Sequence, residues 1–310
     1  MADDQRTTTR KISLEEALEA FLLDCRARRL APSTVEIYEE KLRRFFKWAE
    51  KEGLTMLADV DAHRLRRFLL WLDEVGHNAG GQHIHARALR AWLNFLEADG
   101  ILEVSPMRRV RMPKLPKPLP RVLTEGDIDA MLAAAGNDRD KAIILALLDT
   151  GARVSEFVAL NVGDVDTAGA VKIHHGKGDK ARTVFLGYRA LRALRRYLWQ
   201  REDATAPASP LWASFRNPET GERMTTNAVR QMLKRVAARA DVAKANPHAF
   251  RATFALWSLR SGMDIYTLAR LMGHADIAVL KHYLALAETD LAEAHRQHGP
   301  VDSYLKRKRP

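Results

Sequence analysis

"RMPKLPKPLPR" occupies residues 111–121 and places four prolines among the eight residues from Pro113 to Pro120. Proline fixes φ and has no N–H to donate, so this density suppresses helix and strand and favours an extended, semi-rigid connector. Its lysines keep it solvated and positive. The stretch therefore predicts a linker over 111–121 between a domain over 1–110 and a larger one over 122–310. With 310 residues and 46% hydrophobic content, the chain has enough apolar side chains for two cores.

Upstream of the linker the pattern predicts four helices. Ser13 with Glu16 reads as a capping box ahead of LEEALEAFLLDCRARR, and Ser33 with Glu36 as another ahead of TVEIYEEKLRRFFKWAEKEG. Asp61 caps the third, AHRLRRFLLWLDEVG. The fourth, GQHIHARALRAWLNFLEADG, carries Ile84, Leu89, Trp92, Leu93 and Leu96 at helical spacing and ends on a glycine. Cys25, the only cysteine, falls in the apolar pattern ALEAFLLDCRA and is expected in the core. A single cysteine allows no internal disulfide and no Cys-rich zinc site. Arg43, Arg44, Lys47, Arg64, Arg66, Arg67, Arg87 and Arg90 are interleaved with the apolar set. They read equally as solvated faces or as a helical clamp whose basic side follows phosphates.

Downstream, Thr124 and Asp127 form a capping pair, and helices follow, including KAIILALLDTG. At AGAVKIHHGKGDKARTVFLG the apolar period changes to two: Val171 and Ile173, a Gly-rich turn, then Thr183, Val184 and Phe185. That pattern predicts a β-hairpin with a lysine at its tip. Helices resume with YRALRALRRYLWQR, TTNAVRQMLKRVAARA and the stretches through residue 298. The fold class is mainly α with a small β-sheet (α+β).

Lys and Arg number 50 against 39 Asp and Glu, a formal net charge of +11, which favours a polyanionic partner, nucleic acid ahead of membrane. The start, MADDQRTTTRK, shows no apolar signal region, and no apolar run approaches membrane-spanning length, so a cytoplasmic protein is expected. His174 and His175 are adjacent, and His83 and His85 are two apart, so neither pair shares a helical face as zinc ligands would. No metal and no cofactor are expected.

NPHAFRATFALW, residues 246–257, opens an apolar helix with Asn246 as N-cap and Pro247 at the first helical position. His248 and Arg251 then share a face at a helix end that favours anions. Taken singly, such an H-x-x-R is most often a solvated first turn. Three further stretches accompany it: TGARVSEFVAL around Arg153, HHGKGDKARTVFL around Lys177, and LARLMGHADIAVLKHYL with His274 and Tyr283. Each has its plain reading as well, a surface helix start, a solubilised hairpin turn and a core aromatic. Neither glycine-rich stretch has the spacing of a phosphate-binding P-loop.

Arg, Lys, His-x-x-R, His and Tyr in this order, with Tyr283 nine residues after His274, resemble the tyrosine recombinases, the phage-integrase and Xer-type family. The resemblance covers nearly the whole chain. It implies a four-helix N-terminal core-binding (SAM-like) domain joined by the linker to a tyrosine-recombinase catalytic domain, wrapped as a C around duplex DNA. It also implies a site-specific recombinase working as four protomers on two DNA sites through a Holliday junction, with a homo-oligomer or a paralogous recombinase as partner. The segment after Tyr283 would dock on a neighbouring protomer. No segment ahead of the clamp resembles the arm-site-binding domain of some phage integrases, which points to a Xer-like or transposon-type enzyme.

The chemistry fits those residue types. Breaking and resealing a DNA strand without an external energy source requires the phosphodiester energy to be conserved in a covalent bond, which a tyrosine hydroxyl can form. Tyr283 is the expected nucleophile. Arg153 and Arg251 would clamp the nonbridging oxygens with forked donors, and His274 would add a hydrogen bond. By resemblance Lys177 would protonate the leaving 5′ oxygen, with Lys180 and Arg182 contacting backbone phosphates. His248 would accept the tyrosine proton or position the phosphate. Glu156, three residues after Arg153, would orient His248 or the arginine. Arg43, Arg44, Lys47, Arg87 and Arg90 are the expected DNA contacts of the clamp. Two rival readings are a type IB topoisomerase-like relaxing enzyme and a non-catalytic DNA-binding protein on the same fold.

Overall fold

The computed structural model describes residues 12–115, 121–174, 181–214, 221–273, 277–280, 283, 299 and 301. The chain forms two compact units, Met1–Pro118 and Leu119–Pro310. No helix among the described residues is long and apolar enough to cross a membrane.

The first unit is built from α1 (Leu14–Ala27), α2 (Pro32–Lys51), α3 (Ala62–Glu74) and α4 (Ala79–Ala98). Ser13 and Glu16 cap α1 reciprocally, and the Asp61 side chain accepts from the Arg64 N–H at the start of α3. The core is aromatic: Phe45 meets Phe68 edge-on at 5.1 Å between centroids and lies 6.3 Å from Trp92. Fully burying each such ring stabilises by roughly 1.5–3 kcal/mol. The Trp92 Nε1 donates to the Ala17 carbonyl at 3.1 Å, so this large side chain buries no orphaned donor. Cys25 is in the core, as expected.

Two local expectations fail in this unit. Ser33 and Glu36 form no capping box: Pro32 takes the first helical position, and Ala31 is the N-cap with no side-chain hydrogen bond. Proline's preset φ starts the helix one residue before Ser33 could act. Ile84 is 43% exposed. The inward stripe of α4 runs instead through His85, Ala88, Leu89, Trp92 and Leu96, and Ile84 falls about 100° away from it.

The second unit contains α5 (Glu125–Ala134), α6 (Asp138–Thr150), α7 (Val154–Ala159), the strands β1 (Ala170–Ile173) and β2 (Arg182–Phe185), then α8 (Tyr188–Trp199), α9 (Thr226–Arg239), α10 (Pro247–Arg260) and α11 (Ile265–Met272). Thr124 and Asp127 cap α5 reciprocally. The strands pair antiparallel, with Val171 opposite Val184 and Ile173 opposite Arg182, and Val171, Ile173 and Val184 turn into the core. The hairpin tip, with Lys177 and Lys180, lies outside the described residues.

α10 runs through the middle of this unit. Ala249, Phe250, Arg251, Ala252, Thr253, Ala255 and Leu256 are all buried, so the helix has no solvent stripe over its central turns. Thr253 Oγ1 accepts from the Leu123 N–H and donates to the Ala249 carbonyl, each at 2.8 Å, which fixes the incoming chain to α10. α6 ends beside it on Gly151, whose φ of +55° is left-handed, and a Cβ there would lie 2.2 Å from the Phe254 ring. Only glycine lets α6 stop this close to α10.

Candidate active site

The last carbonyls of a helix lack intrahelical partners and carry the negative end of its macrodipole. At the C-terminus of α11 three consecutive carbonyls each receive an arginine. Leu271 accepts from Arg182 Nε at 2.8 Å, Met272 from Arg251 Nη2 at 2.7 Å and Gly273 from Arg153 Nη2 at 3.1 Å. Gly273 closes the helix at a left-handed φ of +65°. Arg251 also donates through Nη1 to the Gly151 carbonyl, so its fork spans the ends of α6 and α11.

Arg153 stands immediately before α7, and Glu156 lies in the first turn of that helix. The Glu156 carboxylate accepts from Arg153 Nη1 at 2.8 Å and from the Arg153 N–H at 3.0 Å. Arg182 grips the same carboxylate with two nitrogens at 2.6 and 3.1 Å. Burial alone would push the Glu156 carboxyl up, but the hydrogen bonds from Arg182 and Arg153 outweigh it and hold it below its ordinary value. Burial, reinforced by the neighbouring Arg153 charge, brings the Arg251 guanidinium down to about 10. It remains charged at neutral pH.

Arg182 corrects the sequence expectation. Its side chain is only 10% exposed and is committed to Glu156 and Leu271, so it is an internal tie and not a surface phosphate contact. The charge-rich hairpin sequence hides this because a strand-end arginine and a loop-tip lysine look alike in one dimension. Glu156 reaches the arginine of the two partners foreseen for it, with no hydrogen bond to His248 among the described residues.

Arg153, His248, Arg251 and Tyr283 line one cavity of ≈770 Å³, together with Ser155, Thr226, Arg121 and Arg230. His248 is exposed in the first turn of α10, after the Asn246 side chain has accepted the Ala249 N–H, while Arg251 one turn on is buried. Tyr283 is half-buried against the small apolar cluster of Ala255, Leu268, Met272 and Leu280. Burial raises the pKa of its phenol, and Arg251 pulls the other way. No carboxylate lines the cavity among the described residues. Such a cavity suits a phosphate whose negative charge grows during reaction. His274 lies outside the described residues.

Sequence reasoning missed Arg121 and Arg230. Arg121 closes the proline-rich stretch, and Arg230 sits on α9 in an ordinary amphipathic pattern, so neither carries a local signal. A depression of ≈810 Å³ beside α10 holds Asp149 as its one titratable group among the described residues and lacks the cation set.

In the first unit, Arg43 is tied to Glu39 at 2.9 Å and Glu15 at 3.0 Å, and Arg44 to His77 at 2.7 Å. Arg66 donates to the Arg109 carbonyl at 2.6 Å, and Arg67 pairs with Glu52 at 2.8 Å. Lys47, Arg87 and Arg90 are exposed.

Comparison with known proteins gives the family and the fold. The model of the phage integrase family matches residues 121–290, and that of the phage integrase N-terminal SAM-like domain matches residues 18–100. Tyrosine recombinase XerD of Pseudomonas aeruginosa is 33% identical, over 93% of this chain and 97% of that protein. Tyrosine recombinase XerC of Azotobacter vinelandii is 31% identical, over 93% and 97%. A lambda integrase dimer bound to a COC′ core site shares the fold with a TM-score of 0.72 at 16% identity, over 89% of this chain and 78% of that one. The chain belongs to the phage integrase family. It is a tyrosine recombinase, a DNA strand transferase.

Proposed function

We propose that this protein cleaves and rejoins duplex DNA at a specific site through a 3′-phosphotyrosine. The observation that carries the reading is the single cavity shared by Tyr283, Arg153, His248 and Arg251. Tyr283 Oη attacks the scissile phosphorus, a P–O bond to the tyrosine forms, and the P–O5′ bond breaks. His248 takes the phenolic proton or positions the phosphate. Arg153 and Arg251 hold the nonbridging oxygens, helped by His274, and Glu156 orients Arg153 from behind. Lys177 supplies the proton to the departing 5′ oxygen, and Lys180 contacts the DNA backbone.

The unit before the linker serves as the DNA clamp, with Arg43, Arg44, Lys47, Arg87 and Arg90 as its phosphate contacts. Residues 111–121 serve as a semi-rigid linker to the catalytic domain. Strand exchange proceeds with four protomers on two paired sites through a Holliday junction, with this chain alone or with a paralogous recombinase, in the cytoplasm. The segment after Tyr283 docks on a neighbouring protomer. Deleting residues 286–310 should then abolish cooperative assembly on paired sites; assembly that survives the deletion would contradict the docking.

Covalent trapping tests the catalytic reading. Wild type and Tyr283→Phe are incubated with nicked or fragmented DNA from the source's own genome and denatured in detergent, and the protein-linked fragments are sequenced. Wild type should yield 3′-linked ends at a discrete sequence and the variant none. Binding by both without linkage by either would favour a non-catalytic DNA-binding protein.

A further inference from the structure

We infer that Arg182 is a positioning residue for the strand-transfer reaction, keeping Arg153 available to the phosphate by sharing Glu156 and docking β2 on the C-terminal turn of α11. The inference rests on the catalytic reading above. Glu156 is buried, with 7% of its surface exposed, and carries a charge that needs compensation. Two guanidiniums divide it: Arg153 touches Oε1 with one terminal nitrogen, and Arg182 takes Oε1 and Oε2 together. Had Arg153 been the only cation, the favoured geometry would be a two-point fork on Glu156, which consumes donors and cancels charge at the cavity. With Arg182 present, Arg153 gives Glu156 and Gly273 one hydrogen bond each from its side chain, leaving Nε and the second hydrogen of each terminal nitrogen for a ligand.

The same residue ties two chain segments that the chemistry needs together. Arg182 is the first residue of β2 and follows Lys177 closely in sequence, and its Nε donates to Leu271. Gly273, two residues on, accepts Arg153 and immediately precedes His274 in sequence. A Cβ on Gly273 would lie 3.0 Å from Arg182 Nη1, so the glycine leaves space for this guanidinium. The hairpin, the α7 start and the α11 end therefore meet on Arg182 and Glu156.

The test is a double-substitution cycle in the full chain, read on a nicked duplex carrying the site recovered by wild-type trapping. Covalent-complex formation, DNA affinity against salt and thermal melting are measured for Arg182→Gln, Glu156→Gln, the double variant and Arg182→Lys. Arg182→Gln should slow covalent-complex formation about 10- to 100-fold, with affinity within about twofold and the salt slope unchanged. Removing the stranded carboxylate in the double variant should recover a large part of that loss, and Arg182→Lys, which keeps the charge but not the fork, should fall between. Wild-type cleavage by Arg182→Gln would overturn the inference. So would weakened binding with a salt slope lower by about one and no recovery in the double variant, the signature of a direct phosphate contact. If Arg182→Gln does not fold, Arg182→Lys carries the test: unchanged binding with a rate reduced several-fold supports the inference, and a wild-type rate overturns it. Failure of wild type itself to form a covalent complex would instead sink the catalytic reading.

Discussion

Arg251 donates to the Met272 carbonyl at 2.7 Å while its other terminal nitrogen reaches Gly151, so one buried guanidinium joins the C-termini of α11 and α6. The arrangement uses the helix ends as acceptors and fixes the guanidinium at the wall of the cavity that Tyr283 also lines.

Arg251→Lys should therefore be far from conservative. An ammonium cannot span both carbonyls and present a planar pair of donors to phosphate, and its charge is more easily lost in so buried a place. Strand cleavage should fall by about 10²- to 10³-fold with DNA affinity nearly unchanged. Cleavage within tenfold of wild type in a quenched single-turnover assay would remove Arg251 from the clamp.

Gly151→Ala combines a left-handed backbone penalty with a clash against the Phe254 ring. Together these should cost about 2–4 kcal/mol, seen as a lower midpoint in urea. Adding Phe254→Ala should relieve the clash and make the alanine at 151 less costly than in the wild-type background. Strict additivity would show that the ring is not the cause.

His85 is 1% exposed, and neither of its ring nitrogens has a hydrogen-bond partner of normal geometry. Burial, then the charges of Lys41 and His77, bring its pKa from 6.5 to about 4. The unfolded chain thus binds a proton that the folded one refuses, so stability falls as pH drops from 6.5 toward 4, by about 3 kcal/mol over that window. His85→Phe should flatten that part of the profile. Equal acid sensitivity of wild type and variant in denaturant titrations between about pH 7 and about pH 4 would contradict the assignment.

Arg87 and Arg90 are exposed on one face of α4, three residues apart. Arg87→Ala and Arg90→Ala should each weaken DNA binding and lower the salt slope by about one without changing the melting temperature. Arg43→Ala should do less, because Glu39 and Glu15 already hold that guanidinium. An Arg43 effect equal to that of Arg87 would reverse the ranking.

Much of this was legible in one dimension because the signals are local. The caps at Ser13, Asp61, Thr124 and Asn246, the period-two hairpin and the Asn-Pro start that sets His248 and Arg251 all depend on residues within a turn of one another. What was illegible depends on distance in sequence. Arg182 meets Glu156 across 26 residues and Leu271 across 89, and nothing in HGKGDKAR separates an inward arginine from an outward one. Arg121 and Arg230 join the cavity only because the chain returns there. Ser33 failed as a cap for a local reason, the competing Pro32.

The most direct measurement is the chemical identity of the trapped bond. Wild-type complex captured on DNA is digested with nuclease and trypsin, and the peptide that begins at His282 is examined by mass spectrometry. The expected product is a nucleotide joined through its 3′ phosphate to Tyr283, absent from Tyr283→Phe. Linkage to another residue, Tyr266 for example, or cleavage that leaves no protein on the DNA, would contradict it.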